Sequence, residues 1–190
     1  MKPLRDSQTK KLTVRDMAEV GLFTAVLVIC SWLSIPATVP FTLQTLAIFL
    51  SAGLLGTRKS VAVVIVYLLL GAAGVPVFSG FRGGIGAILG PTGGYMIGFI
   101  PAVIIVGVCI KRFGRSFLVM AASMVAGLIV CYAFGTLWFA FVYTGSANTP
   151  SIGSILSMCV VPFIVPDLIK ICLAAILSRR IYPLIRRNRG

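Results

Sequence analysis

The sequence predicts an all-α integral membrane protein with about six transmembrane helices and a broken region before the last one. Composition is the first observation behind this fold class. Of the 190 residues, 58% are hydrophobic and 11% are charged, whereas average chains are about 45–50% apolar and about 25% charged. The second observation is that the apolar residues form separate long runs, and the third is that almost all charges lie outside those runs.

The first five spans follow from the length that a membrane helix needs, which is about 20 mostly apolar residues. The runs are approximately 17–35, 43–56, 61–75, 94–110 and 117–143. The second and third are short for a full crossing, so we expect tilt or local thinning of the bilayer around them. The first run follows a basic, polar segment without a separate cleavable core, which favours a retained span over a signal peptide.

The sixth region is interrupted by prolines. Residues 152–161 are apolar, Pro162 and Pro166 follow, and the apolar run then continues to about Leu177. Proline is favoured at the first helical position and aspartate in the first turn, so Pro166-Asp167 predicts a helix start. We expect a short re-entrant or interfacial helix and then a spanning helix from Pro166, with one kinked helix as the alternative.

The basic residues orient these spans. Of the 17 lysines and arginines, 15 lie at the chain ends, between the second and third spans, or between the fourth and fifth. Basic residues stay on the cytoplasmic side, so both termini are predicted to be cytoplasmic in a multi-pass protein of the cell membrane. The connections 36–42, 76–93 and 144–151 are then predicted to face outward.

The whole chain, 1–190, is predicted to be a single membrane domain. It comprises a cytoplasmic segment 1–16, a transmembrane bundle 17–178 and a basic cytoplasmic tail 179–190. The net charge of +13 does not indicate nucleic-acid binding, because the charges flank apolar runs instead of forming a basic face with stacked aromatic residues. We expect the terminal charges to anchor the chain to anionic membrane lipid.

Several chemistries are excluded by residue content. The sequence has no histidine, and its five cysteines lie in or beside apolar runs without a CxxC pair, so a zinc site and a disulfide scaffold are not expected. The basic turn 53–60 lacks the glycine that precedes the lysine of a phosphate-binding loop. We therefore predict no metal and no cofactor, and we favour a protein that is not an enzyme.

Asp167 and Lys170 are the charged pair inside a predicted span. A charge at mid-membrane costs roughly 2.5–3.5 kcal/mol, so such residues usually mark a solute path or site. Because they are three residues apart, both lie on one face of a helix. An intrahelical ion pair that satisfies itself is the alternative, and the prolines beside it favour a site, since broken helices border substrate sites in transporters.

The predicted outward connections carry glycine, aromatic and polar residues. Residues 39–45 and 76–95 contain these types in close succession, which predicts a lid over an outward cavity, with ordinary re-entrant turns as the alternative. Arg82 lies there and either touches ligand or is simply solvated. On the first span, Gly21 and Ala25 form a small-xxx-small pattern that lets helices approach closely, either within the protein or against a partner.

Five segments carry a family resemblance. In chain order they read LTVRD at 12–16, VPFTLQTL at 39–46, GAAGVPVF at 71–78, GPTGGY at 90–95 and PDLIK at 166–170. The chain resembles the BioY family, the biotin-specific substrate-binding subunits of energy-coupling-factor (ECF) transporters, over nearly its whole length. One departure is that the family often has Pro-Gly-Asp where Pro166 here precedes Asp167 directly, which loosens the expected turn.

The resemblance implies six helices, tight biotin binding from outside and no ATPase in the chain itself. It implies as partners a transmembrane coupling subunit, docked through Gly21 and Ala25, and two ATPase subunits. Asp167 would accept a ureido N–H of biotin, and Lys170 would pair with Asp167 or reach a ligand oxygen. The full set of implied ligand-binding residues is Phe41, Thr42, Gln44, Phe78, Arg82, Thr92, Gly94, Tyr95, Asp167 and Lys170.

Within that set, each chemical type of residue would contact a different part of biotin. Phe41, Phe78 and Tyr95 would wall the apolar bicycle of biotin, and Thr42 and Gln44 would add hydrogen bonds. Arg82, or backbone groups near Gly93 and Gly94, would hold the valerate carboxylate. Three alternatives stay open at this point: a subunit of the same class for another vitamin, a biotin transporter that works alone, and a membrane enzyme that uses Asp167 and Lys170 as acid and base.

Overall fold

The computed structural model describes residues 13–36, 39–143 and 152–187. The predicted cytoplasmic segment before residue 13, the connection 144–151 and the last three residues of the tail lie outside these ranges. Eight helices and one two-stranded hairpin make up the described chain. The helices are α1 Val14–Trp32, α2 Gln44–Leu55, α3 Thr57–Ala72, α4 Ile85–Leu89, α5 Gly93–Phe113, α6 Phe117–Tyr143, α7 Ile152–Cys159 and α8 Val161–Arg187.

Helices occupy all six predicted apolar runs, which confirms the all-α membrane class. Three of them, over Gly93–Phe113, Phe117–Val142 and Val161–Ile185, are long and apolar enough to cross a membrane, and Gln44–Leu55 is apolar but shorter. The number of spans therefore stays a prediction. Between α1 and α2, strands β1 (Ser34–Ile35) and β2 (Phe41–Thr42) pair antiparallel, which turns the chain back into the bundle.

The predicted start of the last helix at Pro166 is wrong. Helix α8 begins at Val161 and contains Pro166, and only Val160 separates it from the short helix α7. Pro162 falls in the first turn of α8, where its missing N–H has no helical partner to lose. Pro166 removes one backbone hydrogen bond a turn later, and that single loss does not end a helix that packs against α2 and α6.

The core lies where α2, α3, α5, α6 and α8 meet. Its largest fully buried side chains include Phe49, Tyr67, Val103, Met124 and Ile171. Large apolar side chains are also exposed on the outer faces of the helices, Leu118, Leu137 and Phe141 among them. An apolar exterior of this kind is what a lipid environment requires, because lipid tails replace water around it.

At the end of the bundle that the charge pattern assigns to the cytoplasm, α1 is tied to α3. Thr13 and Asp16 form a capping box that starts α1. Lys59, in the first turn of α3, pairs with both Asp16 and Glu19 of α1. Hydrogen bonding to Lys59 holds the pKa of the Asp16 carboxyl well below its usual range, so this carboxylate stays ionised and the two helix ends remain joined.

Candidate ligand-binding site

Asp167 and Lys170 form a buried ion pair on α8. Lys170 Nζ lies 2.8 Å from Asp167 Oδ1, and the two residues are 3% and 5% exposed. The pair is intrahelical, as the simpler interpretation of the sequence has it. A buried pair of this kind gains little net stability, because the cost of taking both charges out of water offsets their attraction, so its surroundings decide what it is for.

Groups from three other elements bond to the pair. Thr45 Oγ1 on α2 donates to Asp167 Oδ1 at 2.9 Å, and Tyr132 OH on α6 donates to Oδ2 at 2.6 Å. Lys170 Nζ donates to the carbonyl of Thr42 on β2 at 2.6 Å and lies 4.0 Å from the centre of the Phe41 ring, a cation–π contact. The two charges therefore hold four elements in fixed positions.

A second hydrogen-bonded chain begins next to the first. Thr42 Oγ1 donates to Gln44 Oε1 at 2.9 Å, and Gln44 Nε2 donates to Tyr67 OH at 2.7 Å. Tyr67 OH then donates to Ser31 Oγ on α1 at 3.1 Å. These bonds fix the orientation of the Gln44 amide, with its oxygen toward Thr42 and its nitrogen toward Tyr67.

Six of these polar residues line one part of a cavity of about 740 Å³, a volume that includes its open mouth: Thr42, Gln44, Thr45, Tyr132, Asp167 and Lys170. The rest of the wall is mostly apolar and aromatic. Residues of the predicted outward connections and of α2, α5, α6 and α8 contribute to it, with Phe78, Tyr95, Phe99, Tyr132 and Phe163 as its aromatic members. A largely apolar pocket with a few convergent polar groups is typical of a small-molecule site.

Eight of the ten residues predicted to bind ligand line this cavity. The other two lie behind the wall. Phe41 is under the Lys170 ammonium and stacks on Phe163, with ring centres 6.1 Å apart. Gly94 packs against α6, where an added Cβ would lie 2.1 Å from Trp138 Cβ. Ligand contact at each of the ten positions stays a prediction.

Sequence reasoning missed other lining residues. Thr45 and Tyr132 bond directly to Asp167, while Met96, Cys131, Cys159 and Phe163 add apolar wall. Tyr132 carries a hydroxyl in the middle of a 27-residue apolar helix, and that is a signal which could have drawn attention to it. The sulfur-containing residues carry no such signal, since they resemble ordinary core residues.

The apolar helices form a bundle around a buried, hydrogen-bonded charge pair and an open pocket. These features define a solute-binding membrane protein, the class that includes the binding components of transporters. Residues 6–187 match the family model described as the BioY family. The chain belongs to the BioY family.

Named relatives and a solved structure agree with this membership. The "Biotin transporter BioY" of Thermotoga maritima is 41% identical over 169 residues, which is 88% of this chain and 96% of that protein. The protein of the same name from Rhodobacter capsulatus is 34% identical over 176 residues, or 88% and 93%. A crystal structure titled as the S-component for biotin from an ECF-type ABC transporter superposes with a TM-score of 0.79 at 29% identity, over 88% of this chain and 90% of that chain.

The comparisons also decide the class of activity. The relatives are named as transporters and the matching structure is a transporter component, so this chain is a multi-pass membrane transport protein and not an enzyme. The interpretation of Asp167 and Lys170 as a catalytic acid and base is therefore wrong. Their burial and their many partners are instead suited to recognising a polar group in a largely apolar pocket.

Proposed function

We propose that this protein captures biotin in the pocket around Asp167 and Lys170 and serves as the substrate-binding component of an ECF-type vitamin transporter. The observation that carries the proposal is the unfilled capacity of the Asp167 carboxylate. A carboxylate has about four lone-pair sites. Among the described residues, Lys170 and Thr45 donate to Oδ1 and Tyr132 donates to Oδ2, which leaves a site on Oδ2 for a ureido N–H.

Other groups complement the rest of biotin. Gln44 uses one amide hydrogen for Tyr67 and has a second for the ureido carbonyl. Phe78 and Tyr95 wall the pocket beside it and suit the apolar bicycle. Arg82 is an exposed lining residue whose Nε donates to Ser79 O at 3.2 Å. Its terminal nitrogens have no bonded partner within the described part of the chain, which leaves them for the valerate carboxylate, and a guanidinium binds carboxylates well.

Transport by this protein would use separate energy-supplying subunits, and we include a coupling subunit and two ATPase subunits in the proposal. The chain lacks a phosphate-binding loop, and the proposed activity needs no cofactor. Helix α1 supports docking, since Gly21 and Ala25 are both exposed. The basic residues support cytoplasmic termini and hence a pocket that opens outward.

Biotin binding by the purified protein tests the proposal. We expect biotin to give saturable binding by calorimetry and to raise the unfolding temperature, because a ligand that binds only the folded state stabilises it. Thiamine and riboflavin serve as controls that should leave the unfolding temperature unchanged. Protection by either vitamin together with no protection by biotin would show that the pocket serves another solute.

Gly21→Leu tests the docking face. An added Cβ meets no atom within 4 Å at this exposed position, so we expect folding and biotin binding to match the wild type. We expect copurification with the coupling subunit, and biotin uptake, to fall strongly, because bulk at a small-residue face keeps helices apart. Leu22→Phe adds bulk to an exposed neighbouring residue about 100° further around the helix and should leave uptake intact. Normal uptake by Gly21→Leu would place the docking surface elsewhere.

A further inference from the structure

A second, tighter hairpin, over residues 78–82, forms one wall of the pocket. Phe78 and Arg82 pair across it, with Phe78 N donating to Arg82 O at 2.9 Å. Phe78, Ser79 and Arg82 all line the cavity, and Arg82 is exposed, so the hairpin stands at the open side. Its base is fixed because Phe78 packs edge-on against Tyr67, with ring centres 5.4 Å apart.

The tip of this hairpin has an unusual residue for its backbone shape. Gly80 has φ of 70° and Phe81 has φ of 56°, and Phe81 is the one non-glycine residue with positive φ in the described part of the chain. Glycine and asparagine are favoured in such a turn, and a bulky residue there is strained. Because strained residues persist where they have a task, the Phe81 ring needs an explanation.

Burial in the core does not explain the ring, since Phe81 is 63% exposed. Its contact is Trp32, the last residue of α1, whose ring stacks on it at 5.1 Å with 28° between the planes. The same indole donates from Nε1 to the carbonyl of Pro76 at 2.8 Å. One side chain on α1 therefore holds both the start and the tip of the hairpin.

We propose that the contact between Trp32 and Phe81 is a latch that keeps the hairpin closed against the pocket and so slows the escape of bound biotin. Trp32 and Phe81 are positioning residues, which act on the ligand through Phe78 and Arg82. The inference rests on the proposed biotin binding. Trp32 is eleven positions after Gly21, so the two lie within about 20° of each other around α1. A shift of α1 would therefore move the latch.

The dissociation rate of biotin from the purified full-length protein tests the latch. Phe81→Gly removes the ring and relieves the backbone, while Phe81→Tyr keeps a stacking ring on the same backbone. We expect Phe81→Gly to speed dissociation by about 2- to 10-fold, the worth of one aromatic pair, with no loss of thermal stability. Phe81→Tyr should restore the wild-type rate. Phe113→Ala, which removes an exposed ring from the far end of α5, should leave the rate unchanged.

Trp32→Ala and intrinsic fluorescence give independent tests. Trp32→Ala removes both the stacked ring and the indole N–H that bonds to Pro76, so it should also raise the dissociation rate, and the Phe81→Gly change should add less to it than to the wild type. The chain has two tryptophans. We expect the wavelength of maximum emission of Trp32 to differ between the wild type and Phe81→Gly when both are free of ligand. Wild-type-like dissociation by Phe81→Gly, in protein that binds biotin, would overturn the latch alone. A wild type that does not bind biotin would overturn the proposed function and the latch with it.

Discussion

Asp167→Asn is expected to weaken biotin binding by about 1–3 kcal/mol, or about 5- to 160-fold in Kd. The substitution places an NH₂ donor either at the Oδ1 position, where Lys170 and Thr45 donate, or at the Oδ2 position, where Tyr132 donates and the ureido N–H is proposed to donate. In either orientation one donor faces another, because a carboxylate is an acceptor only while an amide is half donor. Calorimetric titration of biotin into the purified variant gives the change in Kd.

Stability needs its own control in this experiment. Removing one partner of a buried ion pair costs about 3–5 kcal/mol of folding free energy, because Lys170, which is 5% exposed, would lose its carboxylate partner. The double variant Asp167→Asn with Lys170→Met removes both charges, so it should recover much of the unfolding temperature while biotin binding stays weak. Wild-type Kd in a folded Asp167→Asn protein would rule out ureido recognition by this carboxylate.

The residues of the site that could be predicted are those whose burial in a membrane span costs free energy whatever the fold. A carboxylate and an ammonium in an apolar run are expensive wherever the run folds, so the sequence alone marks Asp167 and Lys170. Thr45 and Tyr132 cost little by themselves. They become functional only because folding brings them to Asp167 from 122 and 35 residues away, and single-sequence patterns do not encode that proximity.

Side-chain direction limited the prediction in another way. Gly94 and Tyr95 are neighbours in one short segment, yet Tyr95 lines the cavity and Gly94 faces α6, since successive residues on a helix point about 100° apart. The direction of each could be assigned only once the phase of α5 against α6 was known. The predicted helix start at Pro166 was wrong for a related reason. The packing of α8 against its neighbours overrides the local preference of proline for the first turn of a helix.

The contact between α5 and α6 depends on glycine. At Gly98 an added Cβ would lie 3.1 Å from Phe134 Cβ, and at Gly135 it would lie 2.2 Å from the Tyr95 ring. Gly94 is the tightest of the three against backbone and Cβ atoms, with Trp138 Cβ at 2.1 Å and Phe134 O at 2.7 Å. Neither of these two atoms is the end of a flexible side chain, so the two helices themselves would have to separate.

Gly94→Ala is therefore expected to destabilise the protein, near the upper end of the range of about 1–3 kcal/mol that is typical of overpacking. The unfolding temperature in detergent measures this, and Gly21→Ala is the matched control. Gly21 is also helical but an added Cβ there meets no atom within 4 Å, so alanine should raise stability by up to about 1 kcal/mol through helix propensity.

The same pair of variants separates two roles for Gly94. If its backbone binds the valerate carboxylate, which is one of the two options that the chemistry of biotin allows, Gly94→Ala should change the Kd for biotin while stability stays near that of the wild type. If close packing is its role, the unfolding temperature falls, and biotin at saturating concentration should recover part of the loss because it binds the folded state alone. An unfolding temperature equal to the wild type would contradict the packing role, since it would mean that α5 and α6 can separate at no cost.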